Sequence, residues 1–255
     1  MSDRGYQPDF YALSEPVRDP ARRQQKAEKI RWVLTNFAPF ELANATCLDV
    51  GCSSGMMTAA LAPLFRHTYG LDFDALALAS IQPEHHAGVT YLRGDAMRMP
   101  LPDASVDVVI CAQVYEHVPD DSRLFPEIFR VLTPGGIVFF SGPNWLFPIE
   151  PHYFLPFLHW LPSRQAGTYL KLTGMGDSYY ERSRTIWGLR QLLGEFEIVD
   201  VVRPLLQTEY LIRSPELRGQ LLAMPQPLWQ AIVPLLPNFN WILRKPGDHL
   251  QRRQR

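Results

Sequence analysis

Twelve residues, CLDVGCSSGMMT from Cys47 to Thr58, set the arrangement of the rest of the chain. A short apolar run, interrupted only by Asp49, leads into a glycine turn at 51–55 and then into good helix formers, which predicts a strand, a tight turn and a helix. Glycine allows the turn to bring its backbone close to a ligand, and the helix that follows offers unpaired N–H groups. Because Asp49 would repel a pyrophosphate, we expect a ligand that is cationic or that offers ammonium and hydroxyl donors.

A second predicted strand, His67 to Asp72, also ends in an acid. Asp72 lies 21 residues after Gly51, close to the offset of about 20 residues at which dinucleotide-binding folds place a ribose-binding carboxylate. One carboxylate can accept from both hydroxyls of a ribose, and Phe73 could lie along an adenine ring. The alternative is that Asp72 caps the helix predicted at 75–81.

Three further strands follow along the chain. Val89 to Leu92 precedes Gly94-Asp95-Ala96, and the turn at 101–107, LPDASVD, leads into a run at 108–112 that is apolar throughout. Such a run is typical of a central strand buried on both faces. It ends at QVYEHV, residues 113–118, and a helix at 124–132 and a turn at 133–136 precede a fifth strand at 137–141.

These segments together resemble the class I S-adenosylmethionine (SAM)-dependent methyltransferases. The first segment is similar to the family motif hydrophobic-Asp/Glu-x-Gly-x-Gly-x-Gly, with Ser53 in place of the middle glycine, and residues 101–118 are similar to its LPFPDxSFDxV…EHV pattern. The resemblance covers 47–141 tightly and 185–245 loosely. It implies an α/β fold with a Rossmann-like, seven-stranded and mostly parallel sheet, helices on both faces, and an antiparallel last strand.

The resemblance also implies that the cofactor is SAM and indicates where it binds. In the family an acid at the position of Asp95 accepts from the adenine amine. The implied cofactor-binding residues are Asp49, Gly51, Cys52, Ser53, Gly55, Asp72, Phe73, Gly94, Asp95, Ala96 and Gln113. No metal site is predicted.

The composition of the chain indicates which kinds of partner and which cellular compartment to expect. The 255 residues carry a net charge of −1 with a pI near 6.7, so no basic field indicates nucleic acid. Three cysteines lack metal or disulfide spacing, which fits a reducing cytoplasm. The first ten residues lack an apolar signal core, and no apolar run approaches the roughly 18 residues of a membrane span. We expect a cytoplasmic protein.

The chain departs from a minimal methyltransferase in two insertions beside the sixth strand. The predicted division is an N-terminal arm and helix at 1–40, a SAM-binding core at 41–142 that resumes at 185–203, insertions at 143–184 and 204–237, and a last strand with a basic tail at 238–255. Either insertion could cap the acceptor pocket, add hydrophobic packing, or touch a membrane or partner through the apolar runs 154–161 and 228–236. The N-terminal helix, with Tyr6 or Tyr11, could close the cofactor mouth or simply pack against the core.

The predicted activity is methyl transfer from SAM to a small molecule, at a hydroxyl on an aromatic, lipid or glycan acceptor. A hydroxyl acceptor needs a base, for which His117 and His152 are the candidates. The alternative for His117 is that it and Glu116 only order the strand end. Two other functions stay open. The pair Gly51 and Asp72 could serve an NAD-dependent oxidoreductase, although DVGCSSG differs from G-x-G-x-x-G, and the chain could be a non-catalytic SAM-binding protein.

Overall fold

The computed structural model describes residues 5–7 and 19–247 and contains one mixed sheet. Its strands are β1 Thr46–Val50, β2 His67–Asp72, β3 Val89–Arg93, β4 Val106–Ala112, β5 Leu132–Pro143, β6 Glu197–Asp200 and β7 Asn238–Arg244. They lie in the order β3-β2-β1-β4-β5-β7-β6. The first five strands are parallel, and β7 runs antiparallel between β5 and β6. The predicted seven-stranded α/β fold with an antiparallel last strand is confirmed.

Helices cover both faces of this sheet. They are α1 Pro20–Phe37, α2 Met56–Leu61, α3 Ala75–Ala79, α4 Asp121–Val131, α5 Ser163–Thr173, α6 Ile186–Leu192, α7 Val202–Leu205, α8 Pro215–Ala223 and α9 Gln226–Ile232. The side chains of β4 alternate between two cores. Val109 and Cys111 pack with α4 and α6 on one face, whereas Val108 and Ile110 pack with α1 and α2 on the other. The central strand is therefore buried on both faces, as predicted.

Residues 133–136, predicted as a turn, belong instead to the long strand β5. The N–H of Gly135 donates to the carbonyl of Lys245, and the N–H of Lys245 donates to the carbonyl of Gly136. These bonds continue the pairing of β5 with β7 past the end of β7 at Arg244. Gly135 has φ +81°, a conformation that glycine adopts without steric cost.

The insertion at 143–184 has its own small core and is fastened to the sheet. Leu158, Ala166 and Leu170 are buried together in it. The hydroxyl of Tyr115, which is buried beside β5, donates to the carbonyl of Pro143 and accepts from the N–H of Arg184 at 3.0 Å. Both ends of the insertion therefore meet at one tyrosine of the core.

The insertion at 204–237 contains α8 and α9. Its residues Leu206 and Trp229 form a small buried cluster with Val202 of α7, while Leu205 belongs to the core on the α1 face of the sheet. The three cysteines, Cys47, Cys52 and Cys111, are buried and unbridged. Within the described ranges, no helix is both long and apolar enough to cross a membrane.

Candidate active site

A cavity of about 420 Å³ opens at the carboxyl ends of β1, β2 and β4. Open α/β sheets bind ligands at this edge. The core contributes the turn after β1, the end of β2, the segment 94–96 and the segment 112–118. The helix α1, residues 6–7 and the insertion at 143–184 complete the wall; no residue of 204–237 lines it. The first insertion therefore reaches the cavity and the second does not.

The turn after β1 uses the left-handed backbone region three times. Gly51 has φ +73° and Gly55 has φ +72°, while Ser53, where the family has glycine, has φ +53°. A side chain in this region costs about 1–2 kcal/mol. The N–H of Ser53 donates to Asp72 Oδ2 at 2.7 Å, so the turn is held against the end of β2 through a charge-assisted hydrogen bond.

Asp72 lies at the end of β2, in the cavity wall. Its second oxygen, Oδ1, accepts from the N–H of Asp74 at 2.8 Å. Asp74, and not Asp72, is the N-cap of α3, because its carboxylate accepts from Leu76 and Ala77. Burial raises the pKa of Asp72, against the effect of the two backbone donors. The carboxylate of Asp72 therefore lies at the cavity, because Asp74 caps the helix in its place.

Tyr6 covers the end of the cavity next to β2 and β3. Its ring stacks on Phe73 with centroids 4.3 Å apart, and its hydroxyl donates to Asp95 Oδ1 at 2.6 Å. Gly94 and Ala96 line the cavity, whereas Asp95 does not. Tyr11, the other candidate for closing the mouth, lies outside the described residues.

Asp49 lies behind the wall and is fully buried. Its Oδ2 accepts from the hydroxyl of Thr58 at 2.5 Å. Within the described part of the chain Oδ1 has no hydrogen-bond partner, and burial raises the pKa of this carboxyl to about 7. Cys52 and Gly55 also lie outside the cavity lining, while Gly51, Ser53 and Gln113 lie within it. Some of the predicted cofactor residues thus line the cavity and the others lie behind its lining. Those in the lining are Gly51, Ser53, Asp72, Phe73, Gly94, Ala96 and Gln113, and those behind it are Asp49, Cys52, Gly55 and Asp95.

A cluster of two imidazoles and three carboxylates lies at the other end of the cavity. His117, from the turn after β4, and His152, from the insertion at 143–184, have ring centroids 5.0 Å apart. The Nε2 atoms of both rings lie 3.9 Å from Oε1 of the buried Glu116. Glu150 Oε1 lies 2.8 Å from His152 Nδ1, and Glu181 lines the same part of the cavity. The two histidines predicted as bases therefore meet, although they are 35 positions apart in the chain.

Burial and the neighbouring charges shift the pKa values of the groups in this cluster. Burial raises the pKa of Glu116 to about 7 and also raises that of Glu181. Burial lowers the pKa of His152, but its hydrogen bond to Glu150 and the surrounding carboxylates outweigh this effect and raise it overall. Burial likewise opposes ionisation of Glu150, yet contact with His152 lowers its pKa below the ordinary value. Perturbed pKa values of this kind concentrate at functional sites.

The groups around the cavity fit SAM. A carboxylate has about four lone-pair sites, so Asp72 can accept from ribose hydroxyls in addition to its two backbone donors. Tyr6 and Phe73 place flat apolar rings beside the segment 94–96, where an adenine would lie. Asp49 Oδ1 offers an acceptor next to the glycine turn for an ammonium group, directly or through water. A volume of 420 Å³ is within the roughly 300–1,000 Å³ of ligand pockets.

Several residues that line the cavity were not predicted from the sequence. Arg22, Arg23 and Lys26 of α1 line the cavity, although their run of charges reads as a solvated helix face. Glu181 lies in the insertion at 143–184, which has no recognisable motif. Glu150 stands two residues before His152, and this closeness was the one available signal that the histidine has a carboxylate partner.

Comparison with known proteins agrees with this site. Residues 48–140 match the family described as "Methyltransferase domain". The chain is 39% identical over 102 residues to a probable S-adenosylmethionine-dependent methyltransferase of Mycolicibacterium smegmatis, which corresponds to 40% of this chain and 39% of the relative. The chain thus spans about two fifths of the length of that curated relative.

Solved structures extend the likeness in fold to most of the chain. An S-adenosylmethionine-dependent methyltransferase from Mesorhizobium loti has a TM-score of 0.55 at 20% identity, covering 84% of this chain and 97% of that one. A [4+2]-cyclase has a TM-score of 0.56 at 17% identity, covering 97% and 89%. Likeness at this identity establishes the fold and leaves the reaction to be argued from the site. Residues 48–140 therefore form a methyltransferase domain, and the chain has the fold of the class I SAM-dependent methyltransferases.

Proposed function

We propose that this chain transfers the methyl group of SAM to a hydroxyl of a small-molecule acceptor. One observation carries the proposal: Gly51 and Asp72 of the cofactor motif line the same cavity as His117 and His152. A cofactor held by the first pair and an acceptor held at the second would therefore share one enclosed space.

The chemistry divides between cofactor and protein. SAM supplies a methyl group that its sulfonium already makes electrophilic. The protein must hold the acceptor oxygen, the methyl carbon and the sulfur in line and keep water away. The acceptor hydroxyl gives its proton to the cluster around His152, from which it passes to solvent. With SAM held at Gly51 and Asp72, the acceptor oxygen would take the methyl group and S-adenosylhomocysteine would be the leaving product.

The insertion at 143–184 supports an acceptor with an apolar or flat body. Pro151, Tyr153 and Phe154 line the cavity beside His152, and residue Phe154 is 70% exposed. Aromatic side chains stack on flat rings and on the apolar faces of sugars, and they pack against lipid chains. The acceptor classes that we infer are therefore aromatic, lipid and glycan hydroxyls.

Calorimetry with the purified chain tests the cofactor. SAM and S-adenosylhomocysteine should bind, and NAD should not, because Asp49 disfavours a pyrophosphate and the turn DVGCSSG differs from G-x-G-x-x-G. Binding of NAD without binding of SAM would assign the chain to the oxidoreductases.

Labelling tests the reaction. Cell extract incubated with methyl-labelled SAM and the chain should yield a labelled small molecule whose methyl group resists base, as an ether does. If SAM binds and no extract gives a labelled product, the chain is a SAM-binding protein without transferase activity.

A further inference from the structure

The carboxylate and imidazoles of Glu116, His117 and His152 are arranged like the ligands of a metal ion. Both Nε2 atoms lie 3.9 Å from Glu116 Oε1, and the three ligand atoms all lie within 4.8 Å of one another. Ligand atoms that share a cation at roughly 2.0–2.2 Å stand about 3–3.5 Å apart. An inward movement of about 1 Å by the two rings would therefore complete a three-ligand site.

The support behind His152 is of the kind that metal-binding histidines have. Glu150 is buried, and its Oε2 accepts from the N–H groups of His152 and Tyr153 at 2.7 Å each. Its Oε1 lies 2.8 Å from His152 Nδ1. An ionised Glu150 would hold a proton on Nδ1, and Nε2, which lies 3.9 Å from Glu116 Oε1, would then be free to bind a metal. A carboxylate on the far nitrogen of a ligating histidine orients the ring and raises its basicity.

The site would be open on the side of the cavity. His117 and His152 line the cavity with side chains 17% and 23% exposed, whereas Glu116 is fully buried beneath them. Three protein ligands on one side leave positions for water or a substrate on the other, as in catalytic metal sites. Glu150 and Glu181 add two further buried carboxylates, so a cation would enter a region rich in negative charge.

We propose that Glu116, His117 and His152 form a binding site for a divalent transition-metal ion. Two imidazoles and one carboxylate suit Zn²⁺, Mn²⁺, Fe²⁺ or Co²⁺, whereas Mg²⁺ prefers oxygen ligands. The role of the ion rests on the proposed function: it would bind the acceptor hydroxyl and lower its pKa, so that the proton leaves to solvent before the oxygen takes the methyl group. The inferred acceptor thus presents an oxygen that can ligate a metal. Binding of the ion itself does not depend on that role.

Titration with Co²⁺ tests the site directly. Wild-type protein freed of metal by a chelator should bind one Co²⁺ per chain, seen as visible ligand-field absorption that Zn²⁺ abolishes and excess Mg²⁺ does not. The signal should disappear in His152→Ala and persist in His86→Ala, whose imidazole is exposed and outside the cluster. Glu150→Gln should weaken Co²⁺ binding by about 10–100-fold.

Two measurements keep the result interpretable. Thermal unfolding and SAM binding without added metal are followed on each variant, so that a misfolded variant is recognised and Glu116→Gln can replace it. Folded wild-type protein that gives no Co²⁺ signal, or a signal that survives in His152→Ala, overturns the metal site. In the former case Lys26, which lines the cavity and is attracted to Glu116, supplies the positive charge instead. The methyltransferase proposal is judged separately by SAM binding.

Discussion

Asp72 is the residue on which cofactor affinity should depend most. We expect Asp72→Asn to weaken SAM binding by roughly 1.5–3 kcal/mol, the scale of hydrogen bonds to a charged group. The two backbone donors, at Ser53 and Asp74, use different oxygens of Asp72. The amide keeps an acceptor for only one of them, so we also expect some loss of stability. Calorimetry and thermal unfolding on the same preparation measure both effects. Unchanged affinity with lowered stability would mean that Asp72 only fastens the turn.

His152 should control turnover rather than cofactor affinity. Whether its Nε2 takes a proton or binds a metal, His152→Ala removes the group that prepares the acceptor hydroxyl, and general-base effects are typically 10²–10⁴-fold. Initial rates per folded molecule should fall by that order once an acceptor is known, with SAM affinity nearly unchanged.

The matched control for His152 is His159, a buried histidine of the same insertion whose Nε2 lies 3.0 Å from the carbonyl of Trp145. His159→Ala should lower stability and leave the rate per folded molecule alone. Full turnover in His152→Ala would transfer its role to His117 or show that the acceptor needs neither base nor metal.

The glycine turn before α2 should be intolerant of a single methyl group. A Cβ on Gly55 would stand 2.4 Å from the hydroxyl oxygen of Tyr91, at a φ of +72° that side chains resist. Gly219, exposed in α8, has nothing within 4 Å of the same position. Gly55→Ala should therefore destabilise the fold by more than about 1 kcal/mol. Gly219→Ala should stabilise it by about 0.5–1 kcal/mol.

Urea unfolding of the two alanine variants measures the change in the free energy of unfolding, which should be negative at Gly55 and positive at Gly219. Equal effects at both positions would mean that Tyr91 and the turn relax to admit the methyl group at Gly55.

Elements with a strong local pattern were predictable, and contacts between distant segments were not. The strands β1 and β2 follow from short runs that end at a glycine and at an acid, β4 from a run that is apolar throughout, and α1 from its helical spacing. Pro134 and the glycines predict a turn at 133–136, which is wrong. Only pairing with Lys245, more than a hundred positions away, makes them strand. Within the site, the position of His152 against Glu116 depends on how the insertion folds back, which no local spacing encodes.

The stability of the whole molecule should depend on pH through its buried carboxyls. Burial raises the pKa of Asp49, Asp72, Glu181 and Asp200, most clearly for Asp49, to about 7. The unfolded value for an aspartate is about 3.9. The folded protein therefore binds the proton more tightly, and this stabilisation is complete below about pH 4 and lost as the pH rises through 7.

Asp49→Asn isolates this effect, because its amide oxygen can still accept from Thr58. The melting temperature of the variant, relative to wild type, should rise between pH 5 and pH 7 and then level off. A difference that does not change with pH would mean that Asp49 is already ionised at pH 5 in the folded chain.

The position of Tyr6 has a practical consequence for anyone who labels or immobilises this protein. Tyr6 lies in the cavity wall, so a tag joined just ahead of it would crowd the mouth through which ligands pass. Because β7 runs antiparallel to its neighbours, Asn238 lies at the cavity edge of the sheet and Arg244 at the opposite edge. A tag joined beyond Arg244 leaves on the far side, and a surface-coupled sensor attached there should retain SAM binding that one attached ahead of Tyr6 loses.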